Sequence, residues 1–246
     1  MNYLIWDDIK NLHWAELSEK LLKTKEKFSD IFLRTVELSP DANTKALITH
    51  DCMERFSGII GIIAEIVNNG FYDEMIDSNG SIHNAHKLNG WILLGSVTET
   101  VLQFFIAFYL GDYQNTKWQL WDDFQDEKAS PIFDVINNMV ENKQIQSEQA
   151  RSIKKAIKDT INKHTKEHRI EKVMLDELIQ LYKKIDVMDQ EELDYLQIIQ
   201  SNRNGIHSFQ HRDIGSWSEF QNGIKFFCYL MEWVLWRIPD ISECYI

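Results

Sequence analysis

The chain has 246 residues and is poor in glycine, proline and cysteine. It contains 10 Gly and 3 Pro, roughly half the share of about 12% that these two residues take in an average protein. So few turn-forming residues argue against a many-stranded β-sandwich, a collagen-like segment and a proline-rich linker. With 44% hydrophobic and 12% aromatic residues, the chain nevertheless has enough apolar surface for a sizeable core.

The cysteines are too few and too scattered for a disulfide scaffold. Cys52, Cys228 and Cys244 are odd in number and form no C-x-x-C pair, which favours a reducing, cytoplasmic environment. The N-terminal sequence MNYLIWDDIK lacks the basic segment and the apolar run of a secretory signal peptide. We therefore expect a cytoplasmic protein.

The most apolar window, from Trp91 to Leu110, is interrupted by polar residues. It contains Ser96, Glu99 and Gln103 at helical spacing, and a lone carboxylate at the centre of a bilayer is costly. The window therefore predicts a buried helix with one polar stripe, and no membrane partner.

Negative charge prevails over the whole chain, but not in every part of it. Lys and Arg number 26 against 38 Asp and Glu, giving a net charge of −12, which opposes non-specific nucleic-acid binding. Residues 151–172, however, carry eight Lys or Arg against three acids. This basic stretch is either an exposed, solvated helix face or a local site for a polyanion such as RNA.

Apolar residues recur at helical spacing along almost the entire chain, and no strand-like alternation of useful length occurs. The pattern predicts an all-α protein: one domain over residues 1–246, a helical bundle with an up-and-down core and a basic helical insertion over about 131–185. Asp41 is a predicted N-cap for the second helix. The predicted helices cover about 11–37, 41–69, 84–110, 131–141, 147–168, 170–184, 189–201 and 217–236.

The last predicted helix is apolar almost all round. Phe220, Phe227 and Val234 lie on one side, while Tyr229 and Trp233 lie on the other. Such a helix must be covered on more than one side. It is either a central core helix or a core helix with one face in a homodimer interface.

Sequence patterns for metals and nucleotides are weak here. Gly90 and Gly95 have the glycine spacing of a phosphate-binding loop, but the required Lys is missing. His164 and His168 match H-x-x-E-H, a zinc-protease pattern, but the neighbouring cations favour a solvated basic face. We expect neither a metal nor a cofactor.

The segment 201–212 contains an Arg and two His at helical spacing. Arg203 and His207 are one helical turn apart, and His211 follows one turn later. RNA cleavage by its own 2′-hydroxyl needs a proton acceptor, a proton donor and a cation for the charge on the phosphoryl oxygens. Imidazole serves either proton role near neutral pH, and guanidinium is a permanent bidentate phosphate clamp.

The pair Arg203-Asn204 followed by Ile206-His207, just before the final helix, resembles the HEPN superfamily of all-helical nucleotide-binding domains. The resemblance implies a metal-independent endoribonuclease that works as a homodimer, as a toxin or in anti-phage defence, with an antitoxin as a possible partner. It implies that Arg203 clamps the phosphate, His207 transfers protons and Asn204 orients the site. His211 would support the chemistry.

The long helix predicted over 84–110, with Gly95-Ser96 and Glu99, is similar to the family's early core helix. The resemblance therefore covers about 84–110 and 189–238, and adds Glu99 to the expected catalytic residues.

Two alternatives to a catalytic motif remain open. Three residues separate Arg203 from His207, where the family has four to six, and some members are non-catalytic binding or adaptor modules. In the other alternative the segment is purely structural: Arg203 pairs with a nearby carboxylate such as Asp194, and His207 caps the turn.

Overall fold

A computed structural model of the protein describes residues 1, 3–69, 80–116, 129–164, 169–206 and 213–239. Over these ranges the chain is helical and contains no strand, which confirms the predicted all-α bundle. The α-helices of the described ranges are α1 (Tyr3–Asp7), α2 (Trp14–Leu38), α3 (Ala42–Leu47), α4 (His50–Asn68), α5 (Gly80–Phe108), α6 (Leu110–Asn115), α7 (Ala129–Glu141), α8 (Ser147–His164), α9 (Leu175–Lys184), α10 (Gln190–Arg203) and α11 (Trp217–Leu235). Short 3₁₀ turns cover Ile170–Lys172 and Asn204–Ile206.

The chain forms two compact units. The larger unit comprises residues 1–110 and 173–246, and the smaller comprises 111–172. The smaller unit overlaps the predicted basic insertion of about 131–185. It begins at residue 111 and ends at residue 172, so α9 belongs to the larger unit.

Local capping explains where several helices begin. Ser216 accepts a hydrogen bond from the backbone N–H of Glu219, and the Glu219 carboxylate accepts one from the N–H of Ser216 at 2.6 Å. This capping box starts α11. The carboxylate of Asp41 accepts from the N–H of Asn43 at 2.8 Å, which confirms Asp41 as an N-cap.

The second predicted helix is in fact two helices. The chain leaves α3 at Ile48, whose backbone is extended, and Thr49 then caps α4 by accepting from the N–H of Cys52 at 3.2 Å. Asp41 therefore caps only the six-residue α3. The prediction of a single helix was wrong because a Thr N-cap provides a second start without Gly or Pro.

Helix α11 is the centre of the larger unit. It packs against α2 and α5, and its residues from Gly223 to Val234 are all buried within one chain. Phe227 contacts Phe56 of α4, with ring centroids 6.3 Å apart. The apolar surface of α11 is therefore covered by the protein's own helices, and α11 is a core helix. Formation of a homodimer stays a prediction.

Glycines let α5 and α11 approach closely. A Cβ atom on Gly90 would lie 2.5 Å from Cζ of Phe220, and one on Gly223 would lie 2.9 Å from Cζ3 of Trp91. Each helix thus receives an aromatic ring of the other over a glycine. Gly90 serves helix packing, not a phosphate-binding loop.

Helix α5 is long and apolar enough to cross a membrane, but 61% of its most apolar window is buried inside the structure. It contacts α4, α9, α10 and α11. Trp91 and Leu94 are fully buried among these neighbours. The prediction of a buried helix is confirmed.

In the smaller unit, α7 packs against α8. Ile136 of α7 and Ala150 and Ile161 of α8 are buried. Predicted to begin after Ser130, α7 instead starts at Ala129, so Pro131 lies inside its first turn, where its missing N–H costs no helix hydrogen bond.

Candidate functional site

Two of the predicted site residues lie in direct contact. Arg203 is the last residue of α10, and its Nη1 donates to Oε2 of Glu99, on α5, at 2.7 Å. Side-chain exposure is 25% for Arg203 and 18% for Glu99, so the ion pair is partly buried but reaches solvent. The tertiary fold thus joins residues 104 positions apart.

Glu99 also orders the start of α9. Its Oε2 accepts a second hydrogen bond, at 2.9 Å, from the backbone N–H of Leu175, one of the N–H groups that a helix start leaves without a helical partner. One turn along α5, Nε2 of Gln103 donates to the carbonyl of Val173 at 3.0 Å. The predicted polar stripe on α5 therefore contacts the segment that leads into α9, and one carboxylate oxygen of Glu99 binds both Arg203 and the first residue of α9.

The aliphatic part of Arg203 lies on the backbone of α5. A Cβ atom on Gly95 would be 2.5 Å from Cδ and 3.0 Å from Cγ of Arg203. Only glycine leaves room for the side chain at this point of the helix. Gly95 stands out in the sequence as part of a glycine pattern, but its contact partner is not visible there.

Asn204 follows as the C-cap of α10 and begins the 3₁₀ turn to Ile206. It is half-buried, whereas Ile206 is exposed. His207 and His211 lie outside the described residues. The structure therefore brings Arg203 and Glu99 into contact at the end of α10, with Asn204 as the next residue of the chain, and the roles of Asn204 and of the two histidines stay predictions.

The chain on either side of residues 207–212 is held in place. A Cβ atom on Gly205 would be 2.5 Å from Cγ2 of Ile214, so the backbone before the segment touches a side chain after it. Lys87 of α5 donates from Nζ to the carbonyl of Gly215 at 2.5 Å. Gly215 has φ +67°, a conformation suited to glycine. Sequence reasoning missed Lys87, because nothing in the sequence indicates a lysine-to-carbonyl contact.

The expected partner of Arg203 was wrong in detail. Asp194 accepts from Nε2 of Gln190 one turn earlier on α10, at 2.7 Å, while Arg203 pairs with Glu99. The sequence suggested a local carboxylate because α10 is acidic, whereas the actual partner comes from another helix.

The H-x-x-E-H segment falls largely outside the described residues, which exclude His168 and the side chain of His164. Among the side chains that are described, no group of three His, Cys, Asp or Glu is arranged to hold a metal ion.

Comparison of the chain with protein-family models, with curated proteins and with solved structures finds no match.

Proposed function

We propose that the protein is a metal-independent, HEPN-like endoribonuclease of the toxin or anti-phage defence type, acting in the cytoplasm. The observation that carries the proposal is the fixed position of Arg203, held by the Glu99 carboxylate and by contact with Gly95, directly before the segment that contains His207.

Arg203 retains hydrogen-bonding capacity for a phosphate. A guanidinium has five N–H donors, and within the described part of the chain the side chain of Arg203 makes one hydrogen bond, to Glu99. A quarter of the side chain is exposed. A clamp positioned before the substrate arrives needs little reorganisation during the reaction.

The proposed reaction requires two proton transfers. His207 takes the proton of the 2′-hydroxyl, the 2′-oxygen bonds to phosphorus, and the bond from phosphorus to the 5′-oxygen breaks. A protonated imidazole then gives its proton to the departing 5′-oxygen. His211 or the motif of a second copy supplies that acid, while Arg203 stabilises the phosphoryl oxygens and Asn204 helps orient them.

A homodimer remains part of the proposal, but on a different surface. The apolar side of α11 is buried in its own chain, so two copies must meet through other residues if their Arg and His groups are to share a cleft. RNA binding by the basic stretch 151–172 and inhibition by an antitoxin are further parts of the proposal.

The test is incubation of purified protein with end-labelled single-stranded RNA in EDTA. We expect cleavage to products with 2′,3′-cyclic phosphate ends, lost in His207→Ala and reduced about 100-fold or more in Arg203→Ala. The matched controls are His50→Ala and Arg34→Ala, at exposed positions of the same unit, which should cleave as wild type does. If wild type and His207→Ala leave the RNA equally intact, the nuclease proposal is wrong.

One observation favours a second candidate, a non-catalytic binding or adaptor module. Oε2 of Glu99 accepts from both Arg203 and Leu175, so this pair also has a purely structural use. The module predicts that Arg203→Ala lowers stability or binding with no cleavage to lose. Growth arrest on expression that His207→Ala relieves would contradict it.

A further inference from the structure

A groove of about 820 Å³ lies between α7 and α8, entirely inside the smaller unit. Its wall on the α8 side carries Arg151, Lys154, Lys155 and Lys158. These positions are spaced i, i+3, i+4 and i+7, so they form one stripe along the helix. Part of the basic stretch of the sequence therefore lines one wall of a groove.

Within the described residues, these four cations are not neutralised by ion pairs. In the parts of the chain that the structure describes, none of the four lies within ion-pair distance of a carboxylate. Lys154 instead donates to the side-chain oxygen of Asn137 on α7, and Lys158 lies 5.7 Å from the ring centroid of Phe133.

Two carboxylates, those of Glu141 and Asp159, also line the groove, so cations exceed acids there by two in a protein of net charge −12. A local excess of this kind must attract an anion against the field of the whole molecule. Lysine, arginine and asparagine side chains are common contacts to phosphate oxygens.

The lining favours a phosphate backbone over bases. No aromatic side chain is among the described residues that line the groove, and base-stacking sites for single strands rely on aromatic rings. The cationic stripe from Arg151 to Lys158 spans about 10 Å at 1.5 Å per residue. That length suits several consecutive charges of a flexible strand better than one small anion.

We propose that the α7–α8 groove binds the sugar–phosphate backbone of a single-stranded RNA without reading its sequence. The choice of RNA rests on the proposed function, whereas the phosphate-binding groove rests on its own residues. The groove belongs to the smaller unit and Arg203 to the larger one, and the proposed role of the groove is to hold the strand rather than to cut it.

The experiment measures binding of a fluorescent 2′-O-methyl oligoribonucleotide of 12 uridines by anisotropy, as a function of salt. This strand has no free 2′-hydroxyl, so binding is measured without cleavage. Four phosphate contacts predict a slope of log affinity against log salt of about −3, from about 0.7 per contact on a single strand. Wild-type protein should show that slope.

The triple variant Lys154→Ala, Lys155→Ala, Lys158→Ala should flatten the slope by about 2 and weaken binding at least about tenfold at low salt. The control Lys23→Ala, Lys45→Ala, Lys183→Ala removes the same charge at exposed positions of the larger unit that do not line the groove, and it should bind nearly as wild type does. Lys155→Glu changes a single exposed residue and replaces the triple variant if that variant folds poorly. It should also weaken binding of the strand.

Three results would overturn the inference: no binding by wild type, equal weakening by the groove and control variants, or binding to phosphatidylserine vesicles but not to the strand. The outcome is independent of cleavage. A groove that binds the strand in a protein that cuts no RNA would leave the inference standing and refute the nuclease. If cleavage depends on Arg203 but the groove variant binds the strand as wild type does, the nuclease stands and the groove inference is refuted.

Discussion

Replacing Gly95 with Ala should displace Arg203 by steric contact alone. The new Cβ would lie 2.5, 3.0 and 3.1 Å from Cδ, Cγ and Cβ of Arg203, distances at which the side chain must move. Overpacking of this kind costs about 1–3 kcal/mol. Alanine in a helix interior gains up to about 1 kcal/mol over glycine, so the expected net loss in free energy of unfolding is about 0–2 kcal/mol.

Gly61→Ala is the matched control. Gly61 is also inside a helix, α4, but nothing lies within 4 Å of the position that a Cβ atom on it would take. This variant should gain about 0.5–1 kcal/mol from helix propensity. The difference between the two variants, about 1–3 kcal/mol, isolates the contact with Arg203 and is measured by urea denaturation followed by circular dichroism.

A double-mutant cycle sharpens the test. In an Arg203→Ala background the two closest atoms are absent, so Gly95→Ala should cost less than in wild type. Under the proposed function, Gly95→Ala should also lower RNA cleavage at a temperature where the protein is fully folded. If Gly95→Ala is as stabilising as Gly61→Ala, Arg203 does not lie against α5 and its role as a positioned clamp is refuted.

Three further predictions follow from individual groups. Burial raises the pKa of the Cys228 thiol from its ordinary 9.0 to about 12, so as pH rises the thiol loses its proton in the unfolded chain before it does in the folded one. The free energy of unfolding should therefore fall between about pH 9 and 12, by about 1.4 kcal/mol per pH unit more than in Cys228→Ala. Equal slopes for the two proteins in urea titrations would contradict this. Thr49→Ala removes the cap of α4 and should cost about 1 kcal/mol, whereas an unchanged urea midpoint would show that the cap is not needed. Glu99→Gln removes the charge facing Arg203 at nearly constant shape and should lower the free energy of unfolding by about 1 kcal/mol, because the pair is partly exposed. If Glu99 orients Arg203, the variant should also cleave RNA with a lower kcat under conditions where it is fully folded. An unchanged kcat would contradict that role.

Local signals in the sequence predicted most of the helices. Asp41, the predicted N-cap, binds a group only two residues away. The Ser216-x-x-Glu219 box at the start of α11 acts over three residues, but the sequence analysis did not identify it. Such local contacts depend little on the rest of the fold. The break at Thr49 carried the same kind of signal, but the continuous apolar spacing across it concealed the cap.

The arrangement around Arg203 was predicted only in part. Arg203, Asn204 and Glu99 were identified as residues, yet the expected carboxylate partner was Asp194 on the same helix. The actual contact crosses 104 positions, and the choice between two carboxylates depends on how α5 and α10 pack. Side-chain pairing of this range has no periodic signature in a single sequence.

The role of the final helix shows most clearly what each level determines. Hydrophobic spacing alone established that α11 must be covered on several sides, because apolar surface is driven out of water whatever covers it. Only tertiary packing decided that α2, α4 and α5 of the same chain provide the cover. Between α5 and α11, Gly90 and Gly223 allow the two helices to come close enough. In the same way, the sequence determined that residues 151–172 are basic, but the packing of α7 against α8 decided that four of those charges share one groove.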